Sequence, residues 1–218
     1  MNRFVPRYLD PASRLGEILF GLIMVLTFTL TAGFAVDEGR AGVRELLLAA
    51  VGCNIAWGLI DAAMYVMNAI TVRSGKFRLI AAVRGATNSA ALALIRDEIE
   101  PELQEMLSPN DREAFCNAIL SPISRAQITP KTLTTDDLYG AFACFVLVFV
   151  SCLPAALPFL FLSQPHFALR VSNFLLVGLL FVVGQTWAKY VGLNRLACGS
   201  IMILVGLGLV GVAVLLGG

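Results

Sequence analysis

The chain has 218 residues, of which 58% are hydrophobic and 14% charged, with a net charge of +1. Soluble domains average roughly 45–50% apolar and about 25% charged residues, so the composition excludes an ordinary soluble domain. The net charge says nothing about partners, and no basic tract or stripe suggests nucleic acid. The five cysteines are odd in number and hold no CxxC pair, which argues against a disulfide framework and a zinc site.

Residues 1–14 are a polar tail carrying Arg3, Arg7 and Arg14. The first apolar block, 15–36, is longer than a signal-peptide core and four more blocks follow, so it reads as an uncleaved span. A polar loop, DEGRAGVR at 37–44, leads to a second span over 45–71. Residues 72–137 are polar and mixed, with helical patterning of their own. Spans three, four and five follow at 138–162, 168–190 and 196–218, joined by turns at 163–167 and 192–195. Each block reaches the roughly 20 residues that cross a bilayer as a helix. The predicted fold is all-α: a polytopic membrane protein of five transmembrane helices with a helical cytoplasmic insert between spans two and three. Its domains are 1–71, 72–137 and 138–218.

With the N-terminus inside, only Arg40, Arg44 and Arg170 of the 16 Lys and Arg fall outside. The positive-inside rule therefore predicts a cytoplasmic N-terminus and insert and an external C-terminus. Small residues at helical spacing, such as Gly52 with Ala56, Gly58 with Ala62, and Gly199 with Gly206, Gly208 and Gly211, predict close helix contacts and a homodimer in the lipid bilayer. An odd span count excludes a two-halves transporter within one chain.

Asp61 stands out in the second span, within the apolar stretch Gly58-Leu-Ile-Asp61-Ala-Ala-Met64-Tyr65. It lies about ten residues, roughly 15 Å, from the inner end of its span. An ionisable group at that depth is costly and functional by default. Met64 is one turn further along the same face, and a carboxylate beside a thioether suits a transition-metal ion. Asn54, seven residues earlier, shares the face. Glu17 in span one reads either as an interfacial acid at a helix start or as the guard of the inner mouth of a path to Asp61. Thr27, Thr29 and Thr31 offer oxygen ligands or bond their own backbone. Pro154 and Pro158 predict a bent third span with freed carbonyls.

In the insert, Leu92, Ile95, Ile99, Leu103 and Met106 form an apolar stripe at helical spacing. Glu98, Glu102 and Glu105 fall on one face of a continuous helix, but Pro101 predicts a break, with Glu102 and Glu105 in the helix it starts. Ser108-Pro109 reads as a helix start carrying Asp111, Glu113 and Cys116, and Ser121-Pro122 as its end. These acids are either a solvated face or a site that collects metal: Glu98, Glu102, Glu105, Glu113 and Cys116. Asp136 and Asp137 predict the cap of span three. No histidine cluster, nucleophile elbow or cofactor motif suggests an enzyme.

This layout resembles the vacuolar iron transporter family. Met64 followed by Val72-Arg73-Ser74 is similar to the end of that family's second span. Leu153-Pro154 through Leu157-Pro158-Phe159 is similar to its proline-rich third span, and Gly199, Met202 and Gly206 to its last. Glu102-x-x-Glu105 and Glu113-x-x-Cys116 resemble its paired Glu-x-x-Glu elements, with Cys116 in place of the last Glu. The family's Asp-Gly pair in span one is replaced by Phe20-Gly21, and its Gly-Glu-Tyr by Met67-Asn68-Ala69. The resemblance implies a dimer in a bacterial inner membrane that exports ferrous or manganous ions in exchange for protons. The metal is then substrate and no cofactor is needed; the placement of Glu17, Asp61, Met64 and Asn54 along the ion pathway rests on their positions in the apolar spans and not on the resemblance. The alternative reading is a non-transporting membrane protein whose cytoplasmic helices bind a partner protein.

Overall fold

The computed structural model describes residues 4–31, 39–126 and 132–216, with the side chains of Phe4, Arg40, Glu100 and Glu102 excepted. The expected end of span one and start of the following loop lie outside the described residues. Among those described, the chain forms eight helices: α1 (Phe4–Tyr8), α2 (Pro11–Thr31), α3 (Arg40–Gly85), α4 (Asn88–Leu103), α5 (Pro109–Arg125), α6 (Thr135–Phe161), α7 (Pro165–Val191) and α8 (Arg195–Leu215). Five of them, α2, α3, α6, α7 and α8, are long and apolar enough to cross a membrane. The chain divides into two compact units: residues 1–66 with 135–218, and residues 67–134.

Local chemistry sets the helix ends. Asp10 starts α2, its Oδ1 accepting from the Ala12 and Ser13 amides at 2.8 and 3.0 Å, with Pro11 at the first helical position. Asn194 starts α8 in the same way, accepting from the amides of Leu196 and Ala197 at 2.9 and 3.2 Å. Gly192, at φ +71°, ends α7 in the left-handed conformation that a residue without a Cβ adopts freely.

In the membrane unit, α2 packs against α6, α7 and α8. Leu22, Val25 and Leu26 of α2 meet Ala50 of α3, Ala155 of α6, and Leu176 and Leu180 of α7 in its core. The outside is apolar too: Phe174, Leu204 and Leu160 are 84%, 71% and 73% exposed. On a helix that crosses hydrocarbon this is the lipid-facing surface, and no hydrophobic force drives it inward. Close backbone approach holds α7 to α8. A Cβ on Gly184 would collide with the Cys198 carbonyl and lie 2.8 Å from Gly199 Cα. Gly58, Gly199 and Gly206 also meet neighbouring side chains, whereas Gly52, Gly208 and Gly211 face open space within the protomer.

The second unit is built on the end of α3 with α4 and α5. Val83, Ala91, Ile95 and Cys116 are its buried core, and Leu92, Ile99, Ile119 and Ile123 pack around them. Ser108 caps α5 as expected, accepting from the Asp111 amide at 3.3 Å with Pro109 at the first position.

The helix that carries the second apolar run continues past residue 71 without a break to Gly85. No proline interrupts 72–85, so nothing stops the backbone ladder. Three expectations need correction. Pro101 does not start a new helix: it lies inside α4, one turn from its end. Glu105 therefore sits in the turn after α4, and Glu102 and Glu105 do not share a helix. Ser121-Pro122 does not close α5, which runs on to Arg125. Finally, Arg40 to Arg44 belong to the first turns of α3 and not to a loop.

A carboxyl pair between three apolar helices

The candidate site lies where α2, α3 and α6 converge. Gly21 marks the tightest point. A Cβ there would strike the Ser151 hydroxyl and stand 2.8 Å from the Val148 carbonyl and 3.2 Å from Asn54 Oδ1. α2 and α6 pack closely enough that only hydrogen fits at this position. One turn from Gly21 is Glu17. Seven residues from Asn54 is Asp61, and one turn from Val148 is Cys144, so the helical repeat carries all three to the next level.

There Glu17, Asp61 and Cys144 come close enough for their side chains to interact electrostatically. Both acids are half-buried, and Cys144 is 1% exposed. Glu17 thus lies beside Asp61 in the bundle. Two ionised carboxylates are both acceptors. With both charged, no hydrogen is available between them, and Asp61 Oδ2 is indeed a buried oxygen without a donor among the described residues. One proton on the pair turns the contact into a hydrogen bond. A cation between the oxygens would instead be coordinated by both and offset their repulsion.

A second oxygen is in a similar position. Asn54 is fully buried, its Nδ2 donates to the Ala50 carbonyl at 3.0 Å, and its Oδ1 has no donor among the described residues. The nearby Ser151 hydroxyl gives its proton to the Val148 carbonyl at 2.7 Å. Asn54 Oδ1 and Asp61 Oδ2 share one face of α3, about 10 Å apart along the axis. An unsatisfied buried polar atom costs about 1–3 kcal/mol, and in native proteins each has a reason.

Other polar contacts close the site on the Asp61 side. The Tyr65 hydroxyl, one turn beyond Asp61, donates to the Tyr8 carbonyl at 3.1 Å. The Tyr65 ring lies over Gly140, where a Cβ would overlap it. Asp137 is 5% exposed in the first turn of α6, next to the exposed Asp136. On the other side, Phe20 and Trp57 meet edge to face at 5.4 Å.

The remaining predicted residues fall elsewhere. Met64 is 59% exposed. Thr27, Thr29 and Thr31 bond carbonyls of their own helix at 3.0–3.2 Å. α6 runs unbroken through Pro154 and Pro158, and the buried Ser172 hydroxyl of α7 reaches across to the Ala155 carbonyl at 2.8 Å. In the second unit, Glu98, Glu105 and Glu113 are exposed, Cys116 is 4% exposed inside the core, and the Glu102 side chain lies outside the described residues. Among the described residues, no group of three His, Cys, Asp or Glu side chains is arranged to hold a metal ion.

Sequence reasoning missed Cys144 and Ser151. The one available signal was their position on the same face of α6 as Gly140 and Val148. Comparison with known proteins leaves the site to its own chemistry: no family model matches the chain, and no curated protein matches it in sequence.

Proposed function

We propose that the protein is a membrane transporter that moves divalent transition-metal ions, iron or manganese, out of the cytoplasm in exchange for protons. The observation that supports this reading is the contact between the Glu17 and Asp61 carboxyls inside an apolar helix bundle. Such a pair binds either a proton or a cation and is poorly satisfied with neither, which is the exclusivity that antiport requires. Asn54 Oδ1, a bare carbonyl oxygen further along α3, is the next ligand along a path through the bundle. The resemblance to vacuolar iron transporters points to the same substrates, and the Lys and Arg distribution to a cytoplasmic N-terminus and insert. On this reading the ion's ligands come from Glu17, Asp61 and their neighbours, not from Met64.

The competing reading, a non-transporting protein that docks a partner through the apolar stripe of its insert, has less support. Leu92, Ile95 and Ile99 of that stripe pack inside the second unit, and Met106 alone of the five is fully on the surface, at 78% exposure.

The test is flux into liposomes containing the purified chain, with a manganese or ferrous gradient and a pH-sensitive dye inside. Metal movement coupled to opposite proton movement is expected, with Asp61→Asn and Glu17→Gln each abolishing it in protein that still folds. Unchanged flux in both variants removes the pair from the pathway. Absence of flux in the wild type removes the transport reading.

A further inference from the structure

A groove on the membrane unit is amphipathic along its length. Its larger part, about 370 Å³, lies among α2, α6 and α7 and is lined by Leu22, Val150, Pro154, Leu179 and Val183. A second hollow of about 320 Å³ shares Leu15, Ile18, Leu147 and Thr186 with the first, so the two are continuous. This second part ends on Arg14, Tyr190 and Pro11, at the start of α2 and the end of α7.

Thus an apolar channel set among membrane-crossing helices opens at one membrane face onto a guanidinium and a phenol. Among the described residues, the Arg14 guanidinium holds only a long bond, 3.4 Å from Nε to the Asp10 carbonyl. Asp10, the acid before it in sequence, is engaged by the Ala12 and Ser13 amides and the Ser13 hydroxyl. Tyr190, 56% exposed, sits where aromatic residues with a polar tip mark the interface. Thr186, where the two parts meet, gives its hydroxyl proton to the Val182 carbonyl and so presents no unsatisfied donor to an apolar chain.

We infer that this groove binds one anionic phospholipid, with an acyl chain along the apolar part and the phosphate against Arg14. The bilayer supplies this ligand directly. Basic pockets between transmembrane helices are suited to anionic headgroups, and the apolar arm fits a hydrocarbon chain and no polar solute. The groove touches Ser151 of the candidate site, but its lining includes neither Glu17 nor Asp61, so the inference stands whether or not the protein transports metal.

The experiment is native mass spectrometry of the delipidated full chain, re-exposed to equal amounts of phosphatidylglycerol and phosphatidylcholine with the same acyl chains. One retained lipid is expected, with phosphatidylglycerol preferred about fivefold, the scale of a single basic residue near a lipid surface. Arg14→Gln removes the preference while a lipid is still retained. Arg195→Gln, at the exposed start of α8 and outside the groove, leaves it intact. Val150→Trp, at a 45% exposed position where a larger side chain fills the apolar arm, abolishes retention of both lipids. No retained lipid in the wild type, equal retention of the two lipids, or the same loss of preference in Arg14→Gln and Arg195→Gln overturns the inference. So does lipid retention by folded Val150→Trp. If that variant does not fold, the two arginine variants decide the matter alone.

Discussion

The two units use the same residue types in opposite ways. In residues 67–134 the acids Asp97, Glu98, Glu105 and Glu113 are on the surface, and Ile95, at 0% exposure, is at the centre. In the membrane unit Leu204 and Phe174 are on the surface, and Glu17 and Asp61 face each other between helices. Water rewards the first arrangement, because burying an aliphatic side chain is worth about 1.5–3 kcal/mol. Hydrocarbon removes that driving force and makes a polar group turn toward protein instead. An acid therefore carries little structural information in the second unit and a great deal in the first.

Paired substitutions sharpen this contrast. The largest effect is expected at apolar positions: Ile95→Ala leaves a cavity in a small core and lowers stability by about 2–5 kcal/mol. Leu204→Ala, on the lipid-facing side of α8, changes it by less than about 0.5 kcal/mol. Denaturation followed by a probe in each unit measures both, and a large effect at Leu204 breaks the comparison. Next are the glycines. Gly184→Ala forces α7 from α8 and costs about 1–3 kcal/mol, while Gly208→Ala, which faces open space, is within about 0.5 kcal/mol of neutral.

The acids come third, and here the sign differs. Asp61→Asn supplies a donor to a pair that lacks one and raises thermal stability by about 1 kcal/mol while flux is lost. Glu98→Gln, at an exposed position, changes neither. An Asp61→Asn protein that melts lower than wild type indicates that the pair is structural. The smallest effects are at helix starts. Ser108→Ala removes the α5 cap, for about 1 kcal/mol. Hydrogen bonds from the Ser13 hydroxyl and amide hold the Asp10 carboxyl below its ordinary value. A carboxyl lowered in the folded state contributes stability above its unfolded pKa and loses it as pH falls through the folded one. Melting temperature therefore drops slightly below about pH 4, and Asp10→Asn, which keeps the cap but does not titrate, shows the smaller drop.

Much of the architecture was legible. Five apolar runs became five long helices, and Ser108-Pro109 and Gly192 through Asn194 ended elements where their chemistry predicts. Proline was the least reliable signal of helix ends: Pro101 and Pro122, expected to mark boundaries, both lie inside helices, as Pro154 and Pro158 do in α6 where the third span was expected. A missing amide near a helix end, or against a packed neighbour, costs less than breaking the helix. In the candidate site, Asp61, Glu17 and Asn54 were legible as polar residues in apolar runs. Met64 was drawn to Asp61 by spacing alone, and spacing does not say which side of a helix faces protein and which faces lipid.

The amino-acid sequence by itself determined that this is a bundle of membrane-crossing helices, because a backbone in hydrocarbon must satisfy its own hydrogen bonds and only an uninterrupted helix of about 20 apolar residues does so. It also determined that the carboxyl of Asp61 lies inside a span. Only the tertiary structure brought Glu17 and Cys144 to the side of Asp61 and left Met64 exposed. Those relations depend on how α2, α3 and α6 rotate about their axes, and the rotation is set by where glycine lets two backbones touch, above all at Gly21.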